Sequence, residues 1–218
     1  LWTRTFGGDG YDYGASLCQT QDGGIVTVGT YSQGHYTNYD IWLIKTDMDG
    51  NEIWAQTYDA DGSEQGRCVR ETMDNGFIIA GTKNQSGLVI KTDHNGDLVW
   101  MNIFSESYQE MVSSVIQTLD GGYVVLGTEA YVNPSRFYAF LLKLDSDGDE
   151  LWRRAYGGDG VDIGLDILET TDGDIVVVGS TGSYGEENGD LWLFKTDPEG
   201  NELWNRTIGG ETYDSGHR

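Results

Sequence analysis

Five acidic residues stand at one fixed place in a repeating frame. Counting six positions on from Phe6, Tyr58, Phe104, Tyr156 and Ile208 gives Asp12, Glu64, Glu110, Asp162 and Asp214. Three positions before them come Asp9, Asp61, Ser107, Asp159 and Glu211, acidic in four of five copies. Carboxylates that converge repel one another unless they are paired, hydrogen-bonded or metal-bound. Two chemistries follow. One is a Ca²⁺ site, because hard cations take several carboxylate and carbonyl oxygens. The other is local: each carboxylate accepts backbone N–H groups of its own Gly-rich turn. Recurrence in every copy favours the local role, since function usually breaks symmetry.

Other chemistry is sparse. Asp47/Asp49 and Asp145/Asp147 begin like EF-hand loops, but the fifth-position ligand and the distant Glu are missing, so hairpin chemistry accounts for them. His35, His94 and His217 are scattered and form no ligand spacing, and there is no GxSxG, P-loop or Cys/His pair. Acid pairs such as Asp9/Asp12 have the makings of glycosidase chemistry, but any acidic protein offers such pairs. The expectation is that the chain is not an enzyme.

The frame that must position these residues is a repeat of about fifty residues. Trp2, Trp54, Trp100, Trp152 and Trp204 recur at spacings of 52, 46, 52 and 52. Lys45, Lys91, Lys143 and Lys195 keep the same rhythm, as do Gly29, Gly81, Gly127 and Gly179, and Asp22, Asp74, Asp120 and Asp172. Each unit reads as four short runs rich in Val, Ile, Thr and aromatics, separated by turn residues. In the first unit these are Ala15–Gln21, Gly24–Thr30, Ile41–Thr46 and Glu52–Tyr58, here strands a to d. Thr20–Gly24 (TQDGG) and Thr46–Asn51 (TDMDGN) predict tight hairpins, because Gly takes positive φ without a Cβ clash. Four-stranded antiparallel units at this period describe the blades of an all-β propeller. Both faces of strand d carry apolar residues, so neighbouring blades must cover them, and the recurring tryptophans are expected to be structural.

The run K-T-D-x-x-G-N-E-x-W (Lys45–Trp54, Lys195–Trp204) resembles the repeats of quinoprotein-like and Kelch-like propellers. It is most similar to secreted archaeal and bacterial propellers with DGG and DxDG-x-W repeats. The resemblance covers the whole chain and implies the fold, whereas propellers host many activities. A quinone cofactor would follow only by fold analogy.

The predicted boundaries are residues 1–6 as an extra N-terminal outer strand, then blades at 7–58, 59–104, 105–156 and 157–208. Residues 209–218 begin the next blade, and 1–218 form one propeller domain. Strand a is innermost in a propeller blade, which would set the five acids in a ring near the channel mouth. Consecutive strands alternate direction, so the b–c and d–a links share one rim and the hairpins the other. The b–c links vary in length and are aromatic, carrying Tyr31, His35, Tyr36, Tyr39, Tyr131, Tyr138 and Tyr184. Variable loops over a constant frame are where recognition usually sits, and tyrosine joins apolar area to a polar tip at low entropic cost. Sugar or protein contact is one reading; loops packing on themselves is the other.

Thirteen basic against 36 acidic residues give a net charge of −23. That excludes a nucleic-acid footprint and attraction to anionic lipid, and it keeps a protein dispersed. No apolar run approaches the ~20 residues of a membrane helix. Cys18 and Cys68 are the only cysteines, open to one disulfide or two free thiols. Asn84 and Asn205 stand in glycosylation sequons, while Asn133 is followed by Pro134 and is excluded. With no signal-like segment, Leu1 reads as a processed or truncated start. These features point to an extracellular or cell-surface protein.

The leading expectation is a non-catalytic interaction or structural module that assembles as a homo-oligomer or polymer through open blade edges. The alternative is a carbohydrate- or protein-binding propeller that uses the tyrosine rim, with Ca²⁺ as the one cofactor considered. A propeller enzyme comes third. The two chain ends, Leu1–Ser16 and Leu203–Arg218, are identical at nine of sixteen positions. Both supply the same part of the repeat, so the chain reads either as an excerpt of a longer propeller or as one that offers its redundant end to another subunit.

Overall fold

The computed structural model describes residues 2–32, 39–105, 109–132, 135–185 and 189–210. All regular elements among them are strands, in two compact units, Leu1–Phe104 and Ser105–Arg218. In the first, β1 (Tyr13–Gln19), β2 (Ile25–Tyr31), β3 (Asp40–Thr46) and β4 (Glu52–Tyr58) form one antiparallel sheet in chain order. β5 (Glu64–Glu71), β6 (Phe77–Lys83), β7 (Ser86–Thr92) and β8 (Leu98–Phe104) form a second. In the second unit β9 (Gln109–Gln117), β10 (Tyr123–Val132), β11 (Ser135–Leu144) and β12 (Glu150–Tyr156) form one sheet. β13 (Asp162–Glu169), β14 (Ile175–Thr181), β15 (Asp190–Thr196) and β16 (Glu202–Ile208) form the other. These are the four blades that the repeat implies.

The two middle strands of each blade carry the core. Val26, Val28, Ile41 and Leu43 of the first blade pack with Val69, Phe77, Ile79, Leu88 and Ile90 of the second. Val124, Leu126, Ala139 and Leu141 pack likewise with Ile167, Ile175, Val177, Trp192 and Phe194. Fully burying such a side chain is worth roughly 1.5–3 kcal/mol. A blade alone would forgo this on one face, which is why stacking is obligatory.

The recurring sequence positions acquire specific jobs. Strand a bulges one residue after its paired glycine, between Gly14 and Ser16 and between Gly164 and Asp166. A Cβ on Gly29 or Gly179 would lie 2.1 or 2.0 Å from the carbonyl oxygen of Tyr13 or Ile163, so no side chain fits there. Two of the outer-strand tryptophans sit on the glycine of a c–d hairpin: Trp54 on Gly96 and Trp152 on Gly200. Residues 2–12 carry no strand of their own, yet Trp2 takes the same seat on Gly50 and donates from Nε1 to the Met48 carbonyl at 3.1 Å. The tyrosine ending strand d fixes the same hairpin, Tyr58 Oη donating to Gly96 O at 2.6 Å and Tyr156 Oη to Gly200 O at 2.7 Å.

The lysine and aspartate repeats form an ionic staple. Lys91, 4% exposed, donates from Nζ to Asp74 Oδ2 at 2.9 Å, and Thr72 Oγ1 donates to Asp74 Oδ1 at 2.5 Å. Lys45–Asp22 (2.5 Å) and Lys143–Asp120 (2.8 Å) repeat the arrangement, and Lys195 reaches Asp174 at 2.6 Å. Hydrogen bonds from Lys45, then Thr20 and the Gly24 amide, hold Asp22 down to about 2. At Asp74 and Asp120 burial pushes upward, but the lysine and threonine donors outweigh it and leave both at about 2. A depressed carboxyl stabilises the fold above its unfolded value near 3.9 and loses that contribution as pH falls toward 2. Lys91→Met is therefore expected to cost about 1–2 kcal/mol at pH 7, the upper range of charged hydrogen bonds being discounted because Asp74 is solvent-exposed. The cost should shrink as pH falls from 4 to 2. Denaturant midpoints at pH 7, 4 and 2 check both.

Candidate functional site

The four described acids of the repeated set meet four different environments, and Asp214 lies outside the described residues. Asp12 accepts from Gly8 N at 2.8 Å and from Ser32 N at 3.1 Å. Asp162 accepts from Gly158 N at 2.9 Å and from the hydroxyls of Thr181 and Ser183, each at 2.5 Å. Each accepts one backbone N–H from its own Gly-rich turn and its remaining donors from the b–c link of the same blade. Glu110 is paired with Arg153 at 3.0 Å. Glu64 has none of this: it is fully buried, and neither carboxylate oxygen has a hydrogen-bond partner. Its oxygens face Asp40 and Asp59, the three groups each offering an oxygen within 4.8 Å of the others. The hairpin acids behave as turn residues, with Asp47 Oδ1 accepting the amides of Asp49 and Asn51, both at 2.9 Å.

The tyrosines divide by task. Tyr31 packs on Trp42 with ring centroids 5.3 Å apart. Tyr184 packs on Trp192 at 5.9 Å and donates to Gly157 O at 3.1 Å. Tyr39 lends its carbonyl to Glu64 N at 2.6 Å. Tyr131 is different: it is 41% exposed, set edge-on to Tyr138 at 5.9 Å, and donates to Glu129 Oε1 at 3.2 Å. Tyr138 Oη accepts from Arg136 Nη1 at 3.1 Å, and Arg136 pairs with Asp159 at 2.6 Å. These residues sit on the β10–β11 hairpin, which continues two to four pairs beyond the register that β9 and β12 cover. His35 and Tyr36 lie outside the described residues.

Of the sequon asparagines, Asn84 is exposed at a two-residue hairpin with φ 53°. Asn205 lies within β16, half-buried, with its amide on Glu202 Oε1 at 2.6 Å. Cys18 and Cys68 are not joined by a disulfide, and burial pushes the Cys18 thiol up.

A charged group that the repeat does not announce lies in the third blade. Glu110 and Glu129 stand directly opposite each other across β9 and β10, both nearly inaccessible. Arg153, from the outer strand, reaches across the blade to both, at 3.0 and 2.8 Å, with its guanidinium 4.1 Å above the Phe140 ring. Its slot holds Ala55, Met101 and Asn205 in the other blades. A lone arginine at an otherwise uncharged register position was the available signal. No helix among the described residues is long and apolar enough to cross a membrane.

A family model described as outer membrane protein assembly factor BamB matches residues 40–217. The chain belongs to that family. Among solved structures, a gluconolactonase from Xanthomonas campestris is similar at a TM-score of 0.51 and 11% identity, over 94% of this chain and 80% of that one. An endo-arabinase from Bacteroides thetaiotaomicron is similar at 0.48 and 11%, over 87% and 80%. Sqt1 from Chaetomium thermophilum is similar at 0.47 and 12%, over 94% and 63%. No curated protein matches the sequence. The shared fold is the β-propeller. The expectation that the chain is not an enzyme is corrected here, because a gluconolactonase stands among the proteins of this fold. That expectation rested on missing contiguous motifs. A propeller gathers its functional groups from separate loops, so a site leaves no motif along the chain.

Proposed function

We propose that the chain is a protein-binding propeller module of the cell envelope, and that the rim bearing the b–c links is its contact face. The observation that carries this reading is the β10–β11 hairpin, which overreaches its blade and presents Tyr131 and Tyr138 beside the Arg136–Asp159 pair. Exposed tyrosine with arginine is the composition of binding hot spots. The family description, assembly factor for outer membrane proteins, supports a polypeptide partner. Contact with a second copy of the chain or with carbohydrate is a further use the same surface would serve.

A photo-crosslinking side chain placed at Tyr131 should yield protein adducts in the cells that make this chain. The same group placed at Met48, on the hairpin rim, should yield few. Equal adducts from both rims, or none from Tyr131, would remove the assignment of the contact face.

A further inference from the structure

Glu64 is the most anomalous side chain in the first unit. It opens β5, is 0% exposed, and leaves both carboxylate oxygens without a hydrogen-bond partner. A buried carboxylate in that state is costly unless something compensates its charge. Asp40 comes from the first residue of β3, and Asp59 follows the last residue of β4, so three elements of two blades converge on one point. Burial pushes the Glu64 and Asp40 carboxyls up, and the Asp59 charge adds to it at both.

The cation facing Glu64 across the β5–β6 ladder is Lys83, whose ammonium donates to the Ala60 carbonyl. Three carboxylates against one ammonium leave two negative charges, the charge of one divalent ion. Asp61 N donates to Asp59 Oδ1 at 2.8 Å, which orients that carboxylate.

We propose that Asp40, Asp59 and Glu64 form a calcium site. The donors are all oxygen, with no imidazole or thiolate in the group, which selects a hard cation over zinc or copper. Ligand oxygens within 4.8 Å of one another suit the sphere of calcium, roughly 4.6–5.2 Å across. Asp59 is exposed and leaves room for water to complete the coordination.

The site also breaks the repeat. Register places Ser86, Tyr138 and Asp190 where the first blade has Asp40, and Ser105, Gly157 and Gly209 where it has Asp59. The acid at the Glu64 position is general, whereas the triad occurs once. That distinguishes it from a structural device copied into every blade. Of the four described acids picked out by periodicity, only Glu64 belongs to this site.

Calorimetric titration of CaCl₂ into the chelator-treated protein, at an ionic strength of about 0.15 M to screen the diffuse acidic field, tests the proposal. Saturable binding of one Ca²⁺, tighter than Mg²⁺, is expected, with a raised melting temperature. Glu64→Gln and Asp59→Asn should each weaken binding at least tenfold, and Glu150→Gln, an exposed acid in another blade, should leave it unchanged. Asp59 is exposed, so its variant keeps the test valid if Glu64→Gln fails to fold. No saturable uptake at millimolar Ca²⁺, equal affinity for Mg²⁺, or equal weakening by Glu150→Gln would each overturn the proposal.

Discussion

Replacing Arg153 with methionine is expected to destabilise the protein by about 3–5 kcal/mol, the cost of leaving a buried charge without its partner. Arg153 is the shared partner of Glu110 and Glu129, which face each other across β9 and β10 and are 0% and 4% exposed. Methionine would preserve much of the packing on Phe140 but not the charge. At 2–4 °C per kcal/mol for a chain of this size, the melting temperature should fall by roughly 10 °C. The triple variant Arg153→Met, Glu110→Gln, Glu129→Gln should recover most of the loss, because no uncompensated ion remains. If the triple variant melts as low as the single one, the arginine acts through packing and the electrostatic account fails.

Trp192→Ala should cost about 3–5 kcal/mol, in the range for large aromatic truncations in a core. Trp192 is completely buried, 4.4 Å from Phe194 by ring centroid and 5.9 Å from Tyr184. The truncation opens the second unit's core where it meets the rim, so Tyr184 would lose its support. By contrast Trp2→Ala should cost far less, since Trp2 is 47% exposed. Denaturant unfolding of the two variants side by side tests the contrast; equal losses would contradict it.

That contrast corrects an emphasis drawn from periodicity. The tryptophans that recur every fifty residues are half-buried or exposed, three of them (Trp2, Trp54 and Trp152) seated on hairpin glycines, whereas Trp192 lies outside that series. Periodicity selects residues whose environment recurs, and a hairpin glycine recurs in every blade. Core filling need not, because adjacent blades can fill one volume with different side chains. Trp42 and Trp192 share a register position opposite Gly29 and Gly179, yet only Trp192 is fully covered.

The candidate site was legible to a similar extent. Glu64 was identified by register alone, together with Asp12, Glu110 and Asp162. What separates these four is the partner each meets: Gly8 and Ser32, nothing, Arg153, and Thr181 with Ser183. Gly8 apart, those partners come from other strands and loops, so no spacing along the chain encodes them. Asp40 and Asp59 look like ordinary acids at strand ends until β3, β4 and β5 bring them to Glu64. Likewise Glu129 and Arg153 stand 24 residues apart and become partners only because three strands of one blade lie side by side.

By itself the sequence determined the blade. Hairpin turns depend on glycine at positive φ, strands on alternating apolar residues, and the staple on lysine and aspartate at constant spacing, all of them local or set by a fixed register. Only the tertiary structure decided which of the repeated acids is satisfied and which is left bare. A carboxylate's fate depends on donors brought from other strands and loops and on how much water the packing excludes. Neither quantity is a property of its own segment.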